Sequence, residues 1–186
     1  MSIYVLDGSL NTKLPKRAFF IDTSAWLTVL WAAEAQKKTK QSTIYAQFLE
    51  SHYNDSMIFV TSPLQISEYW NLRIRKEHRF WQEENSSKHG RTSLKCFRNR
   101  HAHQYDIAVR VIRGELKEIL HTCCLSQFYL DPESIMNATI QYRLDYNDAA
   151  YYLLCKERGL ALITEDKDFC AVRGDIDIIT TQSNFC

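Results

Sequence analysis

Residues 145–169 read DYNDAAYYLLCKERGLALITEDKDF, and this stretch decides the fold. The Asn-Asp pair at 147–148 predicts the start of a helix, because short polar side chains satisfy the free amides at a helix N-terminus. Gly159 ends that helix, since glycine readily adopts the left-handed conformation that follows a last turn. The apolar run 160–164 then has the length of a buried strand and stops at the acidic Asp166. The segment therefore predicts a helix–strand unit with a carboxylate at the carboxyl end of the strand.

The rest of the chain alternates apolar runs of strand length with helical patterns in the same way. Strands are predicted over residues 18–21, 57–61, 127–130, 160–164 and 176–179, helices over 25–35, 43–52, 63–79, 105–120, from 132 onwards and over 147–158, and a loop over 84–95. Such alternation predicts an α/β fold, a three-layer α/β/α arrangement with a mostly parallel central sheet. Right-handed crossovers then bring the carboxyl ends of the parallel strands to one edge, where open α/β sheets bind ligands.

Four acids are predicted to meet at that edge. Asp22 and Asp166 each follow a strand, whereas Glu68 and Asp148 lie near the starts of helices that leave the same edge. An acid at a strand end is usually a turn residue, and an acid at a helix start is usually a cap. Together, however, converging carboxylates raise one another's pKa and destabilise the fold unless a cation is present. Oxygen ligands of this kind suit Mg²⁺ or Mn²⁺, and the absence of accompanying histidine or cysteine argues against zinc.

The 186 residues fit a single domain, which we predict to span residues 18–186 behind an N-terminal extension of residues 1–17. The net charge of +1 identifies no partner, but the distribution of charge is uneven. Residues 71–103, here called the basic arm, contain nine Lys and Arg residues against three acids. The arm therefore predicts contacts with the phosphates of a nucleic acid.

Within the basic arm, the candidate phosphate contacts are arginines that follow Glu68 or the predicted loop, namely Arg75, Arg79, Arg98 and Arg100. Aromatic side chains are interleaved with the basic residues, and such rings stack on unpaired bases. The alternative is a solvated helical arm whose rings are buried, and the sequence alone does not separate the two.

The six cysteines form no CxxC pair and no zinc-site spacing. They are interpreted as reduced thiols, mostly core residues, in a cytoplasmic protein. No secretory signal pattern opens the sequence, and no apolar run is long enough for a bilayer, which takes roughly 20 residues.

The motifs resemble those of the PIN-domain nuclease family, and of its toxin-like ribonucleases in particular. Residues 20–24, FIDTS, are similar to the first family motif, and Ser67-Glu68 to the second. The most specific match is Asp148-Ala149-Ala150, then Gly159, an apolar strand, Thr164-Glu165-Asp166 and Asp168-Phe169. The resemblance covers residues 18 to about 180.

The resemblance implies a metal-dependent endoribonuclease that acts on single-stranded RNA, and it implies a toxin whose partners are an antitoxin protein and a second copy of the chain. The implied catalytic residues are Asp22, Glu68, Asp148 and Asp166, all of them also ligands of Mg²⁺ or Mn²⁺, with Asp168 as a further metal ligand. Thr23 and Ser24 would bind substrate, or orient a carboxylate or a water. The chain is longer than a minimal toxin-type PIN domain, mainly through residues 1–17 and 80–103.

Two other classes are considered. Phosphohydrolases with an aspartyl nucleophile carry a second Asp two residues after the first, where this chain has Ser24, and they need a later lysine for which no clear candidate exists. A non-catalytic PIN-like scaffold that binds RNA or protein is the second alternative. A degraded site would be expected to lose acids, and all four are present here.

Overall fold

The computed structural model describes residues 2–8, 14, 18–31, 39–52 and 57–186. Its strands within these ranges are β1 (Ile3–Val5), β2 (Ala18–Ile21), β3 (Ile58–Thr61), β4 (Cys124–Leu125), β5 (Ala161–Ile163) and β6 (Ile178–Thr180). They form one sheet in the order β1-β6-β5-β2-β3-β4, and every pairing in it is parallel. The prediction of a mostly parallel sheet is confirmed.

The helices are α1 (Thr23–Trp26), which continues as a π-helix over Leu27–Trp31, α2 (Lys40–His52), α3 (Pro63–His89), α4 (Leu94–Arg100), α5 (Ala102–Thr122), α6 (Pro132–Tyr142) and α7 (Tyr146–Arg158), with a 3-10 helix over Lys167–Val172. Gly159 follows α7 with a φ of 63°, the left-handed cap expected from the sequence. Asp145, rather than Asn147 or Asp148, is the N-cap of α7, and its side chain accepts a hydrogen bond from the Asp148 amide at 2.9 Å.

The sheet is covered on both faces. Phe19 and Phe20 are neighbours in β2 and both are fully buried, but they belong to different core clusters. Phe20 packs with α6 and α7, and Phe19 packs with α1, α2 and the sheet-facing ends of α3 and α5. This arrangement confirms the three-layer α/β/α architecture.

Helix α3 is ten residues longer than predicted, because it ends at His89 and not near residue 79. The predicted loop over 84–95 is therefore wrong for most of its length. Helix α3 is held by contacts that the sequence pattern does not display. Ile74 packs on Ala108 and Ile112 of α5 in a small third core, and α4 closes the end of the basic arm. Tertiary packing thus maintains a helix whose own apolar periodicity is weak.

Two predicted elements need correction, and the sheet contains one strand that was not predicted. Residues 127–130 are not a strand, and the strand in this region is the two-residue β4, which pairs Cys124 with Val60 of β3. Residues 3–5 of the predicted N-terminal extension form the edge strand β1 beside β6. The first helix begins at Thr23 and not at Ala25, and its predicted end at Ala35 lies outside the described residues.

The cysteines were predicted to be reduced, and for one pair this is wrong. Cys170 of the 3-10 helix and Cys186 form a disulfide across a Cα–Cα distance of 5.7 Å, because the last residues fold back and bury Phe185 in the core beside α7. Cys123 and Cys155 are buried and lie outside the disulfide, as expected for core residues. None of the described helices combines the length and the apolarity needed to cross a membrane.

Candidate functional site

The predicted acidic residues lie at the carboxyl edge of the sheet. Asp22 follows β2 directly, and Asp166 lies just beyond β5, which is the parallel neighbour of β2. Glu68 lies in the second turn of α3, which starts after β3, and Asp148 lies in the first turn of α7. Parallel pairing of β2, β3 and β5 therefore brings helices and loops that carry acids to one place.

Three of the acids form a tight group. Asp148, Asp166 and Asp168 each offer a carboxylate oxygen, and these oxygens lie within 4.8 Å of one another. Asp148 is almost buried, whereas Asp168 is exposed. Asp166 is the N-cap of the 3-10 helix, where its Oδ1 accepts a hydrogen bond of 2.9 Å from the Asp168 amide. This cap fixes the spacing of Asp166 and Asp168.

Asp22 lies deeper and is held by many hydrogen bonds. Its Oδ1 accepts from the Thr23 amide at 2.6 Å, and its Oδ2 accepts from the Ser24 hydroxyl at 2.5 Å and the Thr164 hydroxyl at 2.9 Å. The Thr164 oxygen in turn accepts a hydrogen bond from the Asp166 amide at 2.9 Å. Thr164 thus connects Asp22 to the group of three acids.

Glu68 reaches the site from the other side of β2. Its Oε2 accepts a hydrogen bond of 3.0 Å from the Thr23 hydroxyl and a short one from the Tyr151 hydroxyl of α7. Tyr151 is buried and packs on Phe20, with the ring centroids 4.9 Å apart. The carboxylate is therefore oriented by two hydroxyl groups, both anchored in the core.

The electrostatic state of the site follows from burial and from repulsion between acids. Burial, then the charges of Asp145, Asp22, Asp166 and Glu68, raise the pKa of Asp148 to about 8. Burial also raises the pKa of Asp22, although its four hydrogen bonds oppose the shift. The pKa of Glu68 is raised mainly by burial and further by Asp22 and Asp145. Negative charge therefore accumulates here at a cost in stability.

This cost predicts a pH dependence for the metal-free protein. A carboxyl whose folded pKa lies above its unfolded value stabilises the fold at low pH, and that contribution is lost as pH rises through the folded pKa. The fold raises the pKa of Asp148 to about 8 from an ordinary value of 3.8, so we expect the melting temperature to fall from pH 5 to 9. Mn²⁺ should restore it most at the upper end, because the cation binds the ionised form.

Thermal melts of EDTA-treated protein across this pH range, with and without Mn²⁺, measure the effect. The Asp148→Asn protein is the control, since it cannot ionise at this position and should show a flatter profile. A wild-type profile as flat as that of Asp148→Asn would contradict the prediction.

The residues present fit a divalent cation. Carboxylate oxygens of Asp148, Asp166 and Asp168 lie close enough together to bind one ion. Carboxylate oxygen is the ligand type that Mg²⁺ and Mn²⁺ prefer. The pKa of Asp148 is raised by burial and by four neighbouring acids, and a bound cation would offset that repulsion. Asp22 and Glu68 border this group and contribute to its potential.

The predicted substrate-binding residues fall into two places. Thr23 and Ser24 lie inside the acidic site, and their hydroxyls donate to Glu68 and Asp22, so their contacts favour the orientation of carboxylates over direct contact with substrate. The other four are exposed residues of the basic arm: Arg75 and Arg79 on α3, and Arg98 and Arg100 on α4. Arg79 lies eleven residues beyond Glu68 on α3, or about 16 Å along the helix axis.

One basic residue of the arm has a structural role that the sequence did not reveal. Arg73 is fully buried and makes a bidentate ion pair with Glu115 of α5, at 2.8 and 2.9 Å, and a further one with Glu77 at 2.8 Å. It therefore joins α3 to α5 and is not available to a phosphate.

The rings of the basic arm also hold the arm together. Trp81, Phe97 and His101 pack on one another, with centroid distances of 4.2 Å for Trp81–His101 and 5.2 Å for Trp81–Phe97. His78 and Tyr105 complete the cluster against Phe97. These contacts favour the alternative interpretation for Trp81, Phe97 and His101, of which Phe97 is fully buried, whereas Phe80 is 39% exposed.

Sequence reasoning missed three residues that shape the site. Tyr151 was interpreted as a core residue. Its spacing could have indicated its role, because a residue three positions after Asp148 lies near the same face of α7. Thr164 was quoted as the end of a strand and as part of the family motif, but no contact with Asp22 was predicted for it. Glu165, which precedes Asp166, turns away and accepts hydrogen bonds from the Thr181 amide and hydroxyl at 2.8 and 2.9 Å, beyond β6.

Comparison with known proteins identifies the family of the chain. A family model described as PIN domain matches residues 19–175, which is most of the chain. The chain is also similar to a solved structure, the crystal structure of PAE2754 from Pyrobaculum aerophilum, at 19% sequence identity and a TM-score of 0.48, over 86% of this chain and 91% of that chain. No curated protein matches the sequence.

Proposed function

Because this chain belongs to the PIN-domain family, a family of metal-dependent nucleases, we propose that it is an endoribonuclease that hydrolyses phosphodiester bonds of single-stranded RNA. The observation that carries the proposal is the convergence of Asp148, Asp166 and Asp168, bordered by Asp22 and Glu68, with the pKa of Asp148 raised to about 8. Such a group is unfavourable for stability alone, and it suits a cation bound to a phosphate substrate.

In this proposal Asp148, Asp166 and Asp168 hold Mg²⁺ or Mn²⁺, together with Asp22 and Glu68. A divalent ion in a nuclease supplies an activated water and stabilises the negative charge that develops on the phosphate. The protein's own contribution is positional. Ser24 and Thr164 fix the Asp22 carboxylate, and Thr23 and Tyr151 fix that of Glu68. Carboxylates that are already oriented lose little entropy when the ion and substrate arrive.

The basic arm is proposed to hold the RNA backbone. Arg75, Arg79, Arg98 and Arg100 are exposed on an arm whose core is closed by its own rings, so their guanidinium groups are presented on a rigid support. Arginine pairs well with phosphate through its planar donors. The acids at the sheet edge would repel a polyanion, and the arm offsets this by attracting the chain some way from the scissile bond.

A salt titration tests the arm. For single-stranded nucleic acid, each phosphate contact contributes about 0.7 to the slope of log K against log salt. We therefore expect Arg98→Ala with Arg100→Ala to lower the slope by about 1.4 and to weaken binding of single-stranded RNA at low salt. Lys40→Ala removes an exposed positive charge at the start of α2, outside the basic arm. This variant is the matched control and should leave the slope unchanged. Equal slopes for all three proteins would remove the arm from the proposal.

The substrate class is tested by direct competition. Labelled single-stranded RNA, the same RNA annealed to its complement, and single-stranded DNA of the same sequence are incubated with the protein and Mg²⁺. The proposal expects internal cleavage of the single-stranded RNA in preference to the other two. Binding of RNA with no cleavage in Mg²⁺ or Mn²⁺ would favour the second candidate, a PIN-like scaffold that binds RNA or protein.

A toxin role and an antitoxin partner are proposed on the resemblance alone, as is a homodimer. A neighbouring small reading frame whose product binds this chain and stops RNA cleavage would support the toxin role. Sedimentation of the purified protein gives its oligomeric state directly.

A further inference from the structure

A cavity of about 600 Å³ opens beside the acidic site, on the α6 and α7 side of the sheet. Tyr151 is common to both places, because it lines the cavity while its hydroxyl donates to Glu68. Ser62, which precedes α3, and Tyr146, the first residue of α7, also line it. The cavity thus borders the edge where the carboxylates converge, with Tyr151 between the two.

The side chains that line the cavity differ in chemistry from those of the adjacent acidic site. Among the described residues that line the cavity, none carries a charge. Its walls are apolar side chains of the α7 core, and its polar groups are tyrosine hydroxyls, a serine and the Gln127 amide. Such a lining does not suit a cation or a phosphate, which the adjacent surfaces accommodate. It suits a flat, neutral group with hydrogen-bonding edges.

Two aromatic rings at the cavity are exposed. Tyr129 is 84% exposed and Tyr146 is 46% exposed, whereas Phe128 and Leu130 on either side of Tyr129 pack against the core. Residues 126–130 run without helix or strand, and core packing of the flanking side chains holds Tyr129 at the cavity. Trp81, Phe97 and His101 of the basic arm are in contact within their own ring cluster, whereas Tyr129 and Tyr146 present exposed ring surface at the cavity.

From these observations we propose that the cavity binds an unpaired nucleobase next to the scissile phosphate, with the base stacked on Tyr129, the more exposed of the two rings. The inference rests on the proposed function, since it assigns a subsite for the substrate of the same site. Stacking on an aromatic ring requires an unstacked base, so the subsite selects single-stranded over duplex RNA. The Gln127 amide can both donate to and accept from the edge of the base.

Binding without cleavage tests the subsite. Fluorescein-labelled oligoadenylate and an abasic ribose-phosphate chain of equal length carry the same charge but differ in their bases. Anisotropy is measured in Ca²⁺, with the RNA checked on a gel for integrity. Tyr129→Ala is expected to lower affinity for oligoadenylate about tenfold, within the range for loss of one stacked base, and to leave affinity for the abasic chain unchanged. Tyr129→Phe keeps the ring and should bind like wild type.

The control is Ile140→Ser, which changes an exposed apolar residue of α6 that does not line the cavity. It should have no effect on either ligand. Unchanged oligoadenylate affinity in Tyr129→Ala overturns the subsite and leaves the proposed function standing. An equal loss of affinity for both ligands in Tyr129→Ala also overturns the subsite. Conversion of a dimer to a monomer by Tyr129→Ala, measured by sedimentation, overturns it as well, because this face would then join two copies of the chain. Wild-type protein that binds neither ligand overturns the proposed function together with the subsite.

Discussion

Asp148→Asn is expected to reduce metal-dependent RNA cleavage by at least about 10³-fold, because it removes a charged ligand from the group that would stabilise the transition-state charge. Asp148 is the best position for this test. Its side chain is almost buried between four other acids, and the cap of α7 is provided by Asp145. Asparagine has nearly the same shape, so packing and the helix start should persist.

The same variant should be no less stable than wild type in the absence of metal at pH 8, and more stable if repulsion dominates, because a charge repelled by Asp145 and Asp22 has been removed. Initial cleavage rates in Mg²⁺, with thermal melts in EDTA, measure both effects. Asp106→Asn, an exposed carboxyl change on α5, is the matched control and should cleave at the wild-type rate. Full activity in Asp148→Asn would remove this residue from the site.

Arg73→Met is expected to destabilise the protein by about 3–5 kcal/mol, the usual effect of removing one partner of a buried ion pair. Arg73 is fully buried, and its loss leaves the Glu115 carboxylate, only 10% exposed, with the Tyr69 hydroxyl at 2.9 Å as a remaining donor. The destabilisation arises from an uncompensated charge and not from lost apolar contact, since the Met side chain has a similar length.

A second substitution separates these causes. In Arg73→Met with Glu115→Leu, both charges are absent, and buried ion pairs replaced by apolar groups are often neutral in stability. We expect the double variant to recover most of the loss in free energy of unfolding, measured by urea denaturation. Arg75→Met, an exposed change two residues away on α3, should stay within about 0.5 kcal/mol of wild type. A double variant as unstable as the single one would refute the ion-pair explanation.

The alternation of apolar runs and helix signals was sufficient to predict the parallel three-layer architecture. Strands such as Ala18–Ile21 are buried on both faces and read as continuous apolar runs, and Gly159 marks a helix end that only a left-handed residue satisfies. Asp148 was preferred to the nearby Asp145 as a candidate ligand because it precedes two alanines and lies eleven residues before Gly159, as in the family motif. The structure gives a physical reason for the separation, since Asp145 serves as the cap and Asp148 faces the other acids.

What the sequence did not reveal depends on contacts between distant segments. Arg73 looks like Arg75 and Arg79 in the sequence, and only its position opposite Glu115 makes it a buried residue. In the sequence, Trp81 and Phe97 alternate with Lys and Arg residues, as the rings of a surface that stacks on nucleobases would. In the structure, however, Trp81 of α3 packs against Phe97 of α4. Strand β4 has only two residues, and so short a segment shows no hydrophobic periodicity in the sequence. It is recognised by its pairing with β3.

The central claim is that cleavage depends on a divalent cation held by the acids at the carboxyl edge of the sheet. The most direct measurement is the initial rate of cleavage of single-stranded RNA by EDTA-stripped protein as free Mg²⁺ or Mn²⁺ is restored, with Asp148→Asn beside it. We predict no cleavage in EDTA, a saturable rise in rate with either metal for wild type, and no comparable rise for Asp148→Asn. Cleavage that persists in EDTA, or an identical metal response in the two proteins, would contradict the account.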